Sequence, residues 1–327
     1  MSMFSRGHSS TTSGSGLFDL FRPAPKPDRF GSYELEHELG HGGMGVVYQA
    51  RHRLLGRRAA LKVLPDELDP VAMRRFEREV RRTAFLHHPS TVTVYDYGRS
   101  EHGRFYYAME LVDGHDLSTL VERSGPLSPG RVLGILRDIA GALAEAHGQG
   151  LVHRDIKPAN LMLCRESGRR SNGGDRAKVL DFGLVRETTD PNASLSGSDG
   201  LVTGTPHYLA PEAIRTPDDV DGRADLYSLG ATAYFLLTGR HVFADAKGSY
   251  AVCAAHLAEP VVPPSRYASV PAALERIVLR LLAKDRMERP ANAALLQDEL
   301  DAIHLPMPTH AEADAFWDGV AMATLAA

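Results

Sequence analysis

The sequence predicts an α+β fold, a small β-rich N-terminal part followed by a larger α-rich part. Strand-like runs of β-branched and aromatic residues dominate positions 33–112. A glycine cluster, Gly40-His41-Gly42-Gly43-Met44-Gly45, lies between two of those runs. Beyond position 113 helical periodicity takes over.

Each element has its own local signal. Residues 1–31 are dominated by Ser, Gly and Pro, with Pro23, Pro25 and Pro27 near the end, and are expected to form a flexible leader. Tyr33 and Leu35, then Val46, Val47 and Tyr48, flank the glycines as a hairpin, and Ala59 to Leu64 reads as a third strand. Asp69-Pro70 has the form of a helix cap with proline in the first turn. Met73, Phe76, Val80 and Ala84 continue at helical spacing, so a helix is expected over about 70–86. Thr91 to Tyr97 and Phe105 to Val112 are the remaining expected strands. Ser128-Pro129 opens a long helix with Val132, Ile135, Leu136, Ile139, Leu143 and Ala146 on one face, and Gly150 suits its end. Further helices are expected at about 223–238, 271–283 and 291–303. The main body then spans 33–304, with lobes of about 33–112 and 113–304. A tail at 305–327 carries Phe316 and Trp317, and the sequence leaves open whether it packs on the helical lobe or on a partner.

Bulk properties narrow the classes. The chain has 327 residues, 43% hydrophobic and 24% charged, which are ordinary values for a globular protein. A net charge of −4 gives no reason to expect nucleic acid as a partner. Cys164 and Cys253 are far apart and share no ligand spacing with histidines, so two reduced thiols are expected. The fifteen histidines, among them His87, His88 and His147, show no metal-binding spacing and are expected to be solvated or internally satisfied. The most apolar run, Leu229 to Thr238, is about half of the ~20 residues that a membrane span needs. Met1 to Gly16 lacks the apolar core of a signal peptide, and a cytoplasmic location is expected.

The chemistry is carried by residues in a fixed order. Gly40 to Val47 contains G-x-G-x-x-G-x-V, and a strand follows it where a dinucleotide fold would have a helix. A glycine hairpin lying over phosphates fits this pattern, because backbone N–H groups approach closely where Cβ atoms are missing. A plain hairpin turn fits the cluster equally well when it is taken alone. Lys62 then stands on an otherwise apolar strand, where its charge needs a partner such as a phosphate or a carboxylate. Glu77 and Glu79 on the following helix are both candidates, and periodicity does not separate them. His153-Arg154-Asp155-Ile156-Lys157-Pro158-Ala159-Asn160 and then Asp181-Phe182-Gly183 bring carboxylate and amide oxygens suited to Mg²⁺. One Asp is left to accept a proton from an attacking hydroxyl. Phosphoryl transfer requires positioning and charge neutralisation, which this set supplies.

The ordered set resembles the eukaryotic-type, or Hanks-type, protein kinase family over about residues 33–304. Gly42-Gly43-Met44-Gly45 and Gly204-Thr205-Pro206-His207-Tyr208-Leu209-Ala210-Pro211-Glu212 are most similar to bacterial Ser/Thr members. The resemblance implies a bilobal kinase fold with ATP between the lobes. It implies that Gly40, Gly42 and Gly45 cover the phosphates, that Val47 and Ala60 sandwich the adenine from above, and that Met162 does so from below. Lys62 would hold the α- and β-phosphates and pair with a helix glutamate. The pattern Arg75-Phe76-Glu77-Arg78-Glu79 selects Glu79, with Glu77 still open. Met109 would stand at the back of the adenine pocket, Glu110 and Val112 would offer backbone groups to its edge, and Asp116 would reach the ribose. Asp155 would be the catalytic base and Lys157 would steady the transferred phosphoryl, marking Ser/Thr substrates. Asn160 and Asp181 would ligate Mg²⁺ (or Mn²⁺). Thr205 would line the substrate site. Glu212 with Arg289, and Asp225 beneath His153 and Arg154, would be structural.

The implied activity is transfer of the γ-phosphoryl of Mg-ATP to Ser/Thr hydroxyls of protein substrates. Two departures stand out. The lysine motif reads Ala59-Ala60-Leu61-Lys62, and the segment after Asn160 is long, its excess at roughly Arg165 to Arg176 being expected as a surface hairpin and loop. No catalytic position is missing, which weighs against a non-catalytic binding module. The Gly-Thr-Pro to Ala-Pro-Glu segment weighs against a small-molecule phosphotransferase. Arg154 before Asp155 implies an activation segment ordered by phosphorylation, with Thr188, Thr189, Ser194, Ser196, Ser198 and Thr203 as candidates and Ser194–Thr203 favoured, while a Ser- and Gly-rich stretch that is simply a mobile loop fits the sequence equally well. Self-association for trans-autophosphorylation follows as an expectation.

Overall fold

The structure, a computed structural model, describes residues 29–42, 45–65, 70–165, 174–182 and 206–325. Five antiparallel strands form the first sheet: β1 (Tyr33–Gly42), β2 (Gly45–His52), β3 (Arg58–Val63), β4 (Val94–Arg99) and β5 (Phe105–Met109). Their spatial order is β1-β2-β3-β5-β4. Alternation along the strands gives the sheet two apolar faces. Ala60, Phe105, Tyr107 and Met109 face helix α1 (Pro70–Thr83), which contributes Phe76 and Val80 to that cluster. Ala59, Leu61, Val63, Tyr106 and Ala108 pack on the other face with Phe30 and Tyr33. Phe30, inside the stretch expected to be leader, is packed into the lobe, its ring meeting Tyr106 edge-on at 5.7 Å.

The second lobe is helical. It contains α2 (Leu117–Ser124), α3 (Pro129–Gly148), α4 (Pro211–Arg215), α5 (Gly222–Thr238), α6 (Ser249–Ala258), α7 (Ala272–Leu281), α8 (Ala293–Asp301) and α9 (His310–Leu325). Ser128 caps α3 by accepting from Arg131 N–H, with Pro129 in the first turn as the sequence predicts. Helix α5 is buried almost throughout and forms the centre of the lobe, capped by Asp221 and ended by Gly239 in the left-handed region. A small antiparallel sheet is formed by β6 (Gly114–Asp116), β7 (Leu161–Arg165) and β8 (Asp175–Val179), with α3 packed against β8. Thr91 bridges to Val179 and ties the sheets together. This takes the expected start of β4 out of the first sheet and moves it to Val94. The expected cap Asp69 lies outside the described residues.

Two peripheral readings change. The long segment after β7 does close as a hairpin, with Arg165 opposite Asp175, and 166–173 lie outside the described residues. Its returning end is not surface, however: Asp175 and Arg176 are 3% and 2% exposed. Arg131 donates to Asp175 Oδ2 at 2.8 Å, and Arg176 donates to Ser90 Oγ at 3.1 Å. Paired charges are tolerated inside where unpaired ones are not. The tail packs on the helical lobe. Trp317 Nε1 donates to Asp175 Oδ1 at 2.8 Å, and the Arg131 guanidinium lies 3.8 Å from the centre of the Phe316 ring. Among the described residues no helix is long and apolar enough to cross a membrane.

Candidate active site

The glycine hairpin and β3 form the roof of a cleft. Across the sheet Gly40 pairs with Val47, Val47 with Lys62, and Ala60 with Met109. Gly45 has φ +116°, and a Cβ there would stand 2.0 Å from the Val63 carbonyl oxygen, so only glycine lets β2 turn back at this point. A Cβ on Gly40 would meet nothing within 4 Å, which leaves open space along this edge. Gly42 pairs with Gly45 in register. Gly43 and Met44 lie outside the described residues.

The back and floor are apolar with a few polar edges. Val47, Ala60, Met109, Leu111 and Val112 belong to one cluster. The Glu110 N–H donates to the Thr93 carbonyl at 2.8 Å, and its carboxylate pairs with Lys178 at 2.8 Å. Its backbone is therefore left with a carbonyl to offer. Met162 is half-buried on β7, opposite Asp116 on one side and Lys178 on the other. Asp116 has a structural task that sequence reasoning missed: its carboxylate caps α2, accepting from Thr119 N at 2.9 Å and from Thr119 Oγ1 at 2.6 Å. Asp-x-x-Thr before an apolar run was the available signal.

The loop from His153 to Asn160 is held from below. Asp225, 1% exposed, accepts the backbone N–H of His153 at 2.8 Å and that of Arg154 at 2.7 Å. Its Oδ2 also lies 2.8 Å from His147 Nε2. Burial alone would raise the Asp225 pKa, but the His147 hydrogen bond and charge bring it below the ordinary value. Arg154 takes φ +67°, a strained conformation fixed by this bracing. His153 is fully buried, its Nε2 2.8 Å from the Leu180 carbonyl and its ring against Phe182 at 4.9 Å. Above it, Asn160 Nδ2 donates to Asp155 Oδ2 at 2.7 Å and to the Asp155 carbonyl at 2.8 Å, and Lys157 Nζ stands 2.8 Å from Asp155 Oδ2. Glu212 and Arg289 form a buried two-pronged ion pair at 2.6 and 2.9 Å.

The expected pairing of Lys62 with Glu79 is not what the structure has. Lys62 Nζ donates to Asp181 Oδ2 at 2.6 Å. Glu79 is buried, but its carboxylate lies 3.5 Å from Arg78 Nε and 3.6 Å from Arg82 Nη1. The cause is local charge. Arg78 and Arg82 share a helix with Glu79, whereas Asp181 is the carboxylate that meets a lysine leaving β3 on this face. Glu77 is turned away, pairing with Arg99 at 2.8 Å. Asp181 takes φ +47°. Burial would raise its pKa, but the charge and hydrogen bond of Lys62, then the hydrogen bond from Tyr107, hold it below the ordinary value.

Lys62 thus meets Asp181, while Lys157 and Asn160 meet Asp155, and the Leu180 N–H, next to Asp181, donates to the Asn160 carbonyl at 2.9 Å and joins the two groups. Thr205 and the candidates Thr188 to Thr203 lie outside the described residues. Tyr107, which donates to Asp181 Oδ1 at 2.5 Å, escaped sequence reasoning because a tyrosine on a buried strand reads as core.

Residues 33–300 match the protein kinase domain family. Serine/threonine-protein kinase pkn3 of Myxococcus xanthus is 39% identical over 83% of this chain and 50% of its own length. Serine/threonine-protein kinase PknB of Mycolicibacterium smegmatis is 40% identical over 83% of this chain and 43% of its own length. The chain therefore spans half or less of these curated relatives. The crystal structure of the Mycobacterium tuberculosis PknI kinase domain is similar with a TM-score of 0.62 and 31% identity, covering 85% of this chain and 99% of that one.

Proposed function

The chain belongs to the protein kinase family, and from that membership we propose that it is a serine/threonine protein kinase using ATP and a divalent metal ion, Mg²⁺ or Mn²⁺. The single observation that carries this reading is the fixing of Asp155. Asn160 and Lys157 both hold its Oδ2, at 2.7 and 2.8 Å. An incoming hydroxyl then meets a carboxylate of set orientation beside a cation.

In this reading the substrate hydroxyl oxygen attacks the γ-phosphorus, the bond from that phosphorus to the bridging oxygen breaks, and ADP leaves. Asp155 orients the hydroxyl and accepts its proton. Lys157 stays beside the transferred phosphoryl and offsets its charge. Lys62 leaves Asp181 for the α- and β-phosphates, and Glu79 is its partner in that position. Gly40, Gly42 and Gly45 bring backbone N–H groups over the phosphates. Val47, Ala60, Met109 and Met162 enclose the adenine, the Glu110 and Val112 backbones meet its edge, and Asp116 reaches the ribose from its capping position. Thr205 lines the substrate side.

The donor set fits a hard divalent ion. The Asn160 amide nitrogen is committed to Asp155, which turns its carbonyl oxygen the other way, and Asp181 adds a carboxylate. Among the described residues no group of three or more His, Cys, Asp or Glu side chains is arranged to hold a metal. An ion with few protein ligands, completed by phosphate and water, is the Mg²⁺ pattern. When bound, it neutralises phosphate charge.

The same reading includes autophosphorylation between Thr188 and Thr203, supported by the exposed Arg154 beside Asp155. Mass spectrometry of an active, ATP-treated preparation that finds no phosphate in this segment overturns that part. A cytoplasmic, bacterial signalling protein is the setting this reading suits. The direct test is γ-labelled ATP with a generic protein substrate, followed by acid hydrolysis. Labelled phosphoserine or phosphothreonine is expected, and label on phosphotyrosine alone, or none, contradicts it.

A further inference from the structure

Tyr107 on β5 is the register partner of Lys62 on β3, so both side chains leave the same face of the sheet. Both end on one carboxylate. Lys62 donates to Asp181 Oδ2 at 2.6 Å, and the Tyr107 hydroxyl donates to Asp181 Oδ1 at 2.5 Å. The tyrosine is 1% exposed, and the cavity beside it is lined mostly by apolar side chains such as Val80, Val92, Val94 and Met109, with Thr83 and Asp181 as its other polar members. In such apolar surroundings a hydrogen bond to a charged acceptor is strong, and a hydroxyl without one is costly. Both oxygens of Asp181 are thus engaged by protein donors, and one of those donors is the Lys62 cation.

We propose that Tyr107 is a positioning residue for phosphoryl transfer, whose hydroxyl joins Lys62 in a resting clasp on Asp181 that metal and nucleotide must open. The proposal rests on the kinase reading above. Lys62 cannot serve phosphates while it neutralises Asp181, and Asp181 presents less charge to an ion while two donors draw on it. Tyr107 makes the closed state more stable than Lys62 alone would. Asp181 makes both contacts from a backbone conformation with φ +47°. Glu79 waits with Arg78 and Arg82 until Lys62 is released. Metal entry therefore carries the cost of breaking the tyrosine bond, and the metal concentration needed to fill the site is set partly by Tyr107.

The test is a Mg²⁺ titration of the full chain at saturating AMP-PNP, followed by calorimetry and without turnover. Tyr107→Phe keeps the ring and removes the hydroxyl, and Tyr107→Met fills similar space should the Phe variant fail to give a cooperative melt. Either variant is expected to lower the Mg²⁺ midpoint by roughly tenfold or more, the size of one hydrogen bond to a charged group. The metal-free melting temperature is expected to fall in the same variants. An unchanged midpoint overturns the clasp. A raised midpoint also overturns it, since the tyrosine would then be supporting the metal-bound position. No Mg²⁺-dependent nucleotide binding by the wild type overturns the kinase reading and the clasp with it.

Discussion

Arg289 reaches Glu212 with two guanidinium nitrogens, at 2.6 and 2.9 Å, in the interior of the helical lobe. The arginine is 2% exposed and also donates to the carbonyls of Arg223 and Ala283. The pair joins α4, which follows the segment containing Thr205, to the turn between α7 and α8. Removing the arginine leaves an unpaired buried carboxylate. Arg289→Ala is expected to lower stability by about 3–5 kcal/mol, read from urea unfolding.

The tail helix is a second dependence. Trp317 bonds the buried Asp175 and its ring stacks near His115, next to Asp116, at 6.3 Å. Because Trp317 is only half-buried, Trp317→Ala is expected to cost about 2 kcal/mol, below the range for a fully buried aromatic. A double-mutant cycle with Asp175→Asn should show coupling of about 1 kcal/mol.

Gly45 is a backbone requirement. Gly45→Ala forces a Cβ to 2.0 Å from the Val63 carbonyl and strains φ at +116°. We expect a loss of about 1–3 kcal/mol and weaker nucleotide binding, measured by melting and by calorimetry.

Acid should destabilise the fold through buried histidines. Burial, then the charge of His207, lowers the His241 pKa to about 4, and burial, then Lys284 and His207, lowers that of His256 to about 3. His241 stacks on His207 at 4.0 Å and on Phe235 at 5.2 Å, and His256 bonds the Tyr227 hydroxyl at 2.8 Å. In the unfolded chain both titrate near 6.5. Below that pH the unfolded state binds protons that the folded state refuses, so stability is lost as pH falls from about 6.5 toward 4. The melting temperature should drop across that window, and His241→Phe should flatten the slope.

The order of chemical groups along the chain pointed to the polar residues that the structure pairs, Lys62 with Asp181 and Asp155 with Lys157 and Asn160. Lys62 on an apolar strand and Asp155, Asn160 and Asp181 in sequence each needed a partner that the others could share. The apolar periods of α3 and α5 are strong because those helices are buried in the lobe centre. What was not legible is non-local. Which carboxylate meets Lys62 depends on where Arg78 and Arg82 sit on α1 and on how β8 delivers Asp181. Tyr107 reads as core until its register with Lys62 is known. Asp175 looks like a loop residue because its partners, Arg131 and Trp317, are far away in sequence and arrive by folding.

In the proposed function Asp155 and Lys62 both work in phosphoryl transfer. The most direct measurement is the rate of label transfer from γ-labelled ATP to a protein substrate by the wild type, Asp155→Asn and Lys62→Met. The expected result is a fall of several powers of ten for either variant, about 4 kcal/mol or more in the barrier, with folding retained. Equal transfer by the wild type and Asp155→Asn would contradict it.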